Sequence, residues 1–297
     1  MANSPVSLAI SGKTQVFGII GDPIEHSMSP PMQNAALNAL GIDGVYVPFR
    51  VEAAKVAEAL TGLWALNVRG FNVTIPHKQA VMAELCHVSD LAQAVGAVNT
   101  VWRTAAGWAG TNTDVLGFVS PLKVGDRDWT QSRAVVLGNG GAARAVVAGG
   151  VELGCAEIWV VGRDRDRLNT FAASWADSPL RPPLHTALWP DLTALLADTH
   201  LLVNTTPIGM SPRVDATPVA ADALAHLPAT AIAYDLIYTP SPTQFLALAT
   251  QRGLHTVDGV EMLVQQGAAA LTLWTQQPAP VDLMRQVLRS HLGLSPL

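Results

Sequence analysis

The segment RAVVLGNGGAARAVV, residues 133–147, constrains the fold more than any other part of this chain. A short apolar run leads into three closely spaced glycines, and an alanine-rich helical segment follows. Gly138 and Gly140 allow a tight turn and a close approach to a ligand, while a helix start offers free N–H groups to a phosphate. The segment predicts a strand, turn and helix unit that binds a dinucleotide; the alternative is a tight turn without a ligand.

Strand and helix patterns alternate on both sides of this unit. The apolar runs QVFGIIG (15–21) and VYVPFRV (45–51) are each followed by a helical pattern, and a short hairpin is expected near residues 97–112. Beyond the glycines, EIWVVGR, HLLVNTTPIGM and AIAYDLIY indicate further strands with helices between them. Such alternation is typical of α/β folds with mostly parallel sheets.

The order of these patterns predicts two domains. A discontinuous α/β substrate domain takes residues 1–115 plus 257–297, and a Rossmann-like dinucleotide-binding domain, residues 130–256, is inserted into it. The polar segment 116–129 connects them. Two amphipathic helices in the tail have no strands of their own to cover, so we expect them to pack on the first domain.

Composition excludes several classes of protein. Hydrophobic residues make up 49% of the 297 and charged residues 14%, which suits buried sheets rather than a disordered chain. A net charge of −5 provides no basic field for nucleic acid or an anionic membrane. Two distant cysteines without metal-site spacing predict reduced thiols in the cytoplasm and no metal. The N-terminus lacks the pattern of a signal peptide.

The next strand after the glycines ends in GRDRDR. An NAD site usually places an acid at that strand end, whereas this chain has Gly162 followed by Arg163, with Arg167 four residues further on. Guanidinium groups there suit a 2′-phosphate and so favour NADP. The alternative is a solvated helix start with interleaved charges, which Asp164 supports.

The loop HSMSP follows the first strand and carries two serines. Parallel sheets bind ligands at the carboxyl ends of their strands, so the hydroxyls of Ser27 and Ser29 are placed to donate to one carboxylate. The alternative is structural: Ser29 caps the following helix and Ser27 stabilises a turn.

The stretch NVTIPHK, residues 72–78, ends a strand in polar side chains. Alternation puts Val73 and Ile75 on the inward face, Pro76 ends the strand, and a helix is expected after His77. Lys78 then lies at the strand end, where a lysine can exchange a proton with a hydroxyl or carbonyl oxygen. The alternative is a surface lysine.

Further polar residues fall at equivalent positions of the same domain. Asn99 lies at a strand end and Asp114 at a helix start, where it is either a partner of Lys78 or a helix cap. With Asn72 and Thr74 they predict a site for an oxygen-rich ligand. The threonines of GTNT and NTT are interpreted only as strand ends and turns.

Together the motifs from GDPIEHSMSP to DGVEMLVQQGA resemble the shikimate/quinate dehydrogenase family along nearly the whole chain. The resemblance implies Lys78 and Asp114 as the catalytic pair. It implies substrate contacts at Ser27, Ser29, Thr74, Asn99, Asp114, Tyr238 and Gln266. It implies NADP contacts at Gly138, Asn139, Gly140, Gly141, Ala142, Gly162, Arg163, Asp164, Arg167, Leu236, Gly259 and Asp90. Gly162 and Asp164 depart from the family pattern, which often has asparagine and threonine there.

The resemblance also implies a reaction. It is the reversible NADPH-dependent reduction of 3-dehydroshikimate to shikimate on the route to chorismate and the aromatic amino acids. A quinate or aminoshikimate dehydrogenase of the same family, or a cofactor-sensing regulator without turnover, remains as an alternative. We expect a cytoplasmic monomer or homodimer whose partner is its small-molecule substrate, not nucleic acid or membrane.

Overall fold

The computed structural model describes residues 10–295, which form an α/β chain with two six-stranded sheets. Most of the N-terminal stretch used to judge a signal peptide lies outside the described residues, as do the outermost residues of the discontinuous domain. Within residues 10–295 no helix has both the length and the apolar character needed to cross a membrane.

The first sheet has the strand order β2-β1-β3-β5-β6-β4. β1 pairs in parallel with both β2 and β3, whereas β3, β5 and β6 pair antiparallel, which confirms the predicted hairpin. The strands are β1 Gln15–Gly21, β2 Gly44–Arg50, β3 Gly70–Val73, β4 His87–Val88, β5 Thr100–Thr104 and β6 Gly107–Thr111.

The second sheet is entirely parallel and has the order β12-β11-β10-β7-β8-β9. If β7 is counted as the first strand, the order is 6-5-4-1-2-3, which is the doubly wound order. Such a sheet has a ligand crevice between its first and fourth strands, here β7 and β10. The strands are β7 Arg133–Leu137, β8 Glu157–Gly162, β9 Leu184–Leu188, β10 Leu201–Asn204, β11 Ile232–Asp235 and β12 His255–Val257.

Helices cover both faces of each sheet, and each face has its own buried apolar cluster. The helices are α1 Ser29–Ala39, α2 Val56–Ala65, α3 Asp90–Val95, α4 Asp114–Val119, α5 Gly141–Leu153, α6 Arg165–Ala173, α7 Leu192–Leu196, α8 Ala221–Leu224, α9 Gln244–Gln251, α10 Gly259–Thr275 and α11 Val281–His291. The two tail helices pack on first-sheet elements: α11 lies against α1 and α10, and α10 also contacts α4 and β5.

Three local predictions are wrong. The strand of NVTIPHK ends at Val73, and Ile75, predicted to point inward, is 68% exposed. The helix expected after His77 is a 3₁₀ turn over Ala80–Glu84 followed by the short strand β4. Ser29 is the first residue of α1 rather than its cap, because the cap position is Met28, which forms no side-chain cap. In each case hydrophobic periodicity identified the segment but tertiary contacts set where it ends.

Candidate active site

Sheet topology brings the predicted polar residues to one edge of the first sheet. The parallel strands β1 and β3 both end at this edge, and β5, which runs antiparallel to β3, begins there. β6 in turn is antiparallel to β5 and ends at the same edge. Residues that follow β1, β3 and β6, and those that precede β5, therefore lie close together, although they are far apart in the chain.

Lys78 and Asp114 form a close ion pair at this edge. Lys78 Nζ lies 2.5 Å from Asp114 Oδ2, and the two side chains are only 15% and 7% exposed. Asn99 Nδ2 donates to the other carboxylate oxygen, Oδ1, at 2.8 Å. Asp114 does not cap α4, because Asn112 Oδ1 accepts from the N–H groups at the helix start. Its carboxylate is therefore available to orient the lysine.

A buried hydrogen-bond network fixes Asn99. Its Oδ1 accepts from the Thr113 backbone N–H at 2.7 Å and from the Thr100 hydroxyl at 3.0 Å. Asn72 Nδ2 donates to the Thr100 hydroxyl and to the Asn99 carbonyl, and Tyr46 donates its hydroxyl to Asn72 Oδ1 at 2.7 Å. Burial raises the pKa of Tyr46, which keeps this donor protonated. Buried networks that are fully satisfied hold their members rigidly.

Sequence reasoning missed most of this supporting network. Thr113 lies in the GTNT stretch and was interpreted only as part of a turn, and Tyr46 lies within a strand that carries no motif. The local signals available were that Thr113 directly precedes Asp114 and that Tyr46 lies on the buried face of a strand. Their role depends on the pairing of β1 with β2 and of β3 with β5, which no local pattern reveals.

Ser27 and Ser29 lie in the loop after β1 and at the start of α1. The Ser27 hydroxyl accepts from the Ser29 N–H at 3.3 Å, which leaves its own proton free to donate. Ser29 is buried and lies beside the Tyr46 hydroxyl, which moderates the rise in the pKa of Tyr46. Ser29 therefore lies next to the Asn72 and Asn99 network and forms no capping bond.

Two further predicted substrate contacts come from distant parts of the chain. Gln266, on α10, lies with its Oε1 3.5 Å from Asn99 Nδ2, because α4 and α10 cross closely where Gly117 has no side chain. Tyr238 follows β11 of the second sheet but packs on the cluster under α1, where burial raises its pKa. Thr74 places its methyl group where a Cβ at Gly21 would lie.

The glycine turn faces this set of residues. Gly138 has a φ of +103°, and a Cβ there would lie 2.9 Å from the Thr205 hydroxyl, across the crevice between β7 and β10. Gly140 is open on its side-chain face, so a phosphate can approach its backbone at the start of α5. A Cβ at Gly141 would lie 3.9 Å from Lys78 Cδ. The cradle fits a dinucleotide pyrophosphate and places the turn directly opposite the lysine.

The end of β8 shows how the departures from the family pattern are accommodated. A Cβ at Gly162 would lie 2.9 Å from Leu168 Cδ2, so the space of the missing side chain is occupied by leucine. Asp164 caps α6, accepting from the backbone N–H groups of Asp166 and Arg167 at 2.9 and 3.0 Å. Its Oδ1 is thus used by the helix, its Oδ2 lies 3.9 Å from Arg167 Nε, and Arg163 is exposed.

The remaining predicted cofactor residues lie at the glycine turn, after β11 and at the starts of α10 and α3. Asn139 and Ala142 lie in the glycine turn and the first turn of α5, and Leu236 directly follows β11. Gly259 begins α10, where a Cβ would collide with the Leu236 carbonyl oxygen, so close packing alone requires glycine there. Asp90 is exposed in the first turn of α3.

Asp235 supports the loop that carries Leu236 and Tyr238. Its carboxylate accepts from the Thr243 hydroxyl at 2.7 Å, from Asn204 Nδ2 at 3.0 Å and from the Ile237 N–H at 3.1 Å. Burial nevertheless raises the pKa of Asp235 to about 6. Sequence reasoning missed this residue because it is part of an apolar strand.

Comparison with known proteins assigns the family. Models of the shikimate dehydrogenase substrate binding domain and the shikimate 5′-dehydrogenase C-terminal domain match residues 19–101 and 259–289. A curated relative from Thermosynechococcus vestitus, named shikimate dehydrogenase (NADP(+)), is 56% identical over 284 residues, covering 96% of this chain and 98% of its own length.

Solved structures agree. A shikimate dehydrogenase in complex with NADP+ is 33% identical with a TM-score of 0.87, covering 97% of this chain and 99% of that one. The shikimate 5-dehydrogenase of Thermus thermophilus in complex with NADP(H) and shikimate is 35% identical with a TM-score of 0.82, covering 93% and 99%. This chain therefore belongs to the shikimate dehydrogenase family.

Proposed function

We propose that this chain catalyses the reversible NADP(H)-dependent interconversion of 3-dehydroshikimate and shikimate on the route to chorismate and the aromatic amino acids. The observation that carries the proposal is the buried Lys78–Asp114 pair, which lies at the substrate edge of one sheet and faces the glycine turn of the other. The curated name of the relative at 56% identity over nearly the full length supports the same reaction.

The polar edge of the first sheet forms the substrate site in this proposal. Ser27 and Ser29 donate their hydroxyls to the substrate carboxylate, and the buried position of Ser29 favours a desolvated, strong contact. Thr74, Asn99 and Asp114 contact the ring hydroxyls. Tyr238 and Gln266 complete the site from the second sheet's loop and from α10.

The second sheet provides the cofactor site. Its contacts are Gly138, Asn139, Gly140, Gly141 and Ala142 around the pyrophosphate, Gly162, Arg163, Asp164 and Arg167 around the adenine ribose, and Leu236 and Gly259 on the nicotinamide side. The capping role of Asp164 supports NADP, because one of its carboxylate oxygens accepts from the start of α6 and the other faces the Arg167 guanidinium. Asp90, in the first turn of α3, completes the proposed set.

The catalytic step needs one proton transfer from the protein. When bound, NADPH supplies a hydride to the carbonyl carbon at position 3 of 3-dehydroshikimate. Lys78 donates a proton from Nζ to the carbonyl oxygen as negative charge develops there, and accepts it back in the oxidation direction. Asp114 orients the ammonium group, and Asn99 holds the second carboxylate oxygen. The low exposure of the pair strengthens these electrostatic contacts.

We further propose a two-domain division. Residues 1–115 with 257–297 form the substrate domain, 130–256 the cofactor domain and 116–129 the connection. Each sheet has a buried cluster of its own on one face, which supports this division, and a further cluster joins α4 and α10 to the second sheet. The segments near 115–125 and 258–262 are the two crossings between the domains and would act as hinges through which the cleft opens for the ligands and closes over them. We also propose a cytoplasmic location and a monomer or homodimer.

The test is NADP+ reduction measured in parallel with shikimate and quinate. We expect kcat/KM for shikimate to exceed that for quinate by about tenfold or more, equivalent to one well-placed polar contact. Equal or better turnover of quinate would assign the quinate activity instead. No turnover with either, together with tight NADP+ binding, would favour the regulator.

A further inference from the structure

Arg144 is a buried cation that the proposed chemistry does not use. It lies one turn into α5 and is 5% exposed. Its Nε donates to the Val95 carbonyl, and Nη1 donates to the Ser174 hydroxyl at 2.8 Å. The guanidinium carbon lies 5.0 Å from the centre of the Trp175 ring and 5.6 Å from that of Phe171. Burial lowers the pKa of Arg144, with no opposing effect from an acid. Such a cation is costly unless its donors are well used.

Arg144 and Ser178 both donate to backbone carbonyls at the end of α3, a helix that belongs to the first sheet's side of the molecule. The last carbonyls of a helix have no partner within the helix. In α3 the Val95 carbonyl accepts from Arg144, and the Ala94 carbonyl accepts from the Ser178 hydroxyl at 2.8 Å. Both donors come from elements of the second sheet, so the end of α3 is held from across the boundary between the two sheets.

The chain that leaves α3 leads directly to the catalytic pair. Gly96 turns with a φ of +69°, and a Cβ there would collide with Arg144 Nη2, so the backbone fits closely against the guanidinium. Two residues further on, the Val98 N–H donates to the Lys78 carbonyl at 2.8 Å. Asn99 then donates to Asp114. The segment 96–99 is therefore the support on which both members of the pair rest.

A circuit of contacts closes at the glycine turn. α5 begins at Gly141, three residues before Arg144, and Gly141 lies opposite Lys78. One path from α5 to Lys78 crosses the cleft at Gly141, and the other runs through Arg144, Val95 and the segment 96–99. In the arrangement that the structure shows, this second path limits how far α5 can shift relative to the segment 96–99.

We propose that Arg144 is a positioning residue that holds the cofactor-binding helix on the segment 96–99 and thereby sets the distance between the glycine turn and Lys78. This role rests on the proposed function. It makes cofactor and substrate binding energetically coupled, since ordering α5 around a dinucleotide also orders the segment that carries Asn99.

The test compares three variants of the full chain. Arg144→Met removes the charge and the hydrogen-bond donors but keeps much of the apolar stem. Arg144→Lys keeps the positive charge, with its donors on a single nitrogen. Arg103→Met is the matched control: Arg103 also lies over a tryptophan ring, at 3.6 Å from the centroid of Trp64, and donates to a backbone carbonyl at 2.8 Å, but these contacts are within the first sheet's elements. For each variant we measure kcat, the Kd of NADP+, the Kd of shikimate with and without saturating NADP+, and thermal stability.

We expect NADP+ to tighten shikimate binding about fivefold or more in the wild type. In Arg144→Met this coupling should be less than about twofold, and kcat should decrease by about tenfold. The Kd of NADP+ should change by less than about threefold. Arg144→Lys should restore part of both, and Arg103→Met should lose stability without losing either. Wild-type coupling and kcat in a folded Arg144→Met, or equal losses in Arg103→Met, would overturn the proposal.

A second variant and a second readout protect the test. If Arg144→Met does not fold, Ser178→Ala removes the parallel bond to Ala94 and must lower the coupling at least about twofold, or the proposal fails. In the wild type, NADP+ binding should slow the hydrogen exchange of the Val98 and Asn99 amides. In Arg144→Lys the same binding should slow it less. A wild type that shows this slowing but does not oxidise shikimate would refute the proposed function and leave the role of Arg144 standing.

Discussion

Replacing Lys78 by methionine tests the proposed chemistry most directly. Methionine keeps the unbranched stem of lysine and removes the ammonium group, so packing changes little while the proton donor is lost. Proton transfer by a positioned side chain contributes about 10²–10⁴-fold to a rate. We therefore expect kcat to fall by about that factor, equivalent to about 3–5 kcal/mol of transition-state stabilisation.

The structure also sets the expected effect on stability. The Lys78–Asp114 pair is largely buried, and loss of one partner of such a pair costs about 3–5 kcal/mol. Asn99 still donates to Asp114 Oδ1, so the remaining carboxylate keeps one strong contact. We expect the free energy of unfolding to decrease by about 3 kcal/mol, the lower end of that range.

Lys55→Met is the matched control. Lys55 Nζ pairs with Glu58 Oε1 at 2.8 Å, a similar distance, but the two side chains are 57% and 70% exposed. Exposed pairs contribute about 0–1 kcal/mol, so this variant should lose little stability and no activity. The assay follows NADP+ reduction with saturating shikimate, beside NADP+ titration and urea unfolding for each variant.

The result that refutes the reasoning is specific. If Lys78→Met loses stability as expected but keeps kcat within about threefold of the wild type, the lysine is a structural partner of Asp114 and not the proton donor. A parallel loss of NADP+ affinity would instead show that the glycine turn depends on Lys78.

Three further predictions follow from the same structure. Changing Ser27 and Ser29 together to alanine should raise KM for shikimate about tenfold or more, since each bond to a carboxylate contributes about 1.5–3 kcal/mol, and an unchanged KM would limit both serines to structural roles. Wild-type kcat/KM should favour NADP+ over NAD+ by about tenfold or more, and Arg163→Ala should reduce that ratio; equal efficiency in the wild type would show that the arginines do not recognise a phosphate. Because Asp235 binds its proton more tightly in the folded state, with a pKa of about 6 against an ordinary value of 3.8, its stabilising effect is complete below pH 3.8 and lost as pH rises through about 6. Asp235→Asn should therefore remove up to about 3 kcal/mol of this pH dependence, and identical pH profiles for variant and wild type would contradict it.

Part of this structure was predictable because it is encoded locally. The glycine turn of residues 138–141 needs a positive φ and an open backbone, which only glycine supplies at no cost, so strand, turn and helix can be recognised without tertiary contacts. The alternation of apolar strands and helices identified the α/β class for the same reason. Lys78, Asp114 and Asn99 were recognisable as candidates because they cluster near predicted strand ends and helix starts of one domain, and α/β sheets bind ligands at the carboxyl ends of their strands.

The sequence by itself thus determined the fold class, the glycine turn and the main polar candidates. Only the tertiary structure decided how they interact: strand order placed Asn99 between Thr113 and Asp114, and helix crossing at Gly117 brought in Gln266. It also decided that Asp164 caps a helix and that Arg144 crosses from α5 to α3. The physical reason is that side-chain partners are set by strand pairing and helix packing between segments far apart in the chain, and no local pattern records them.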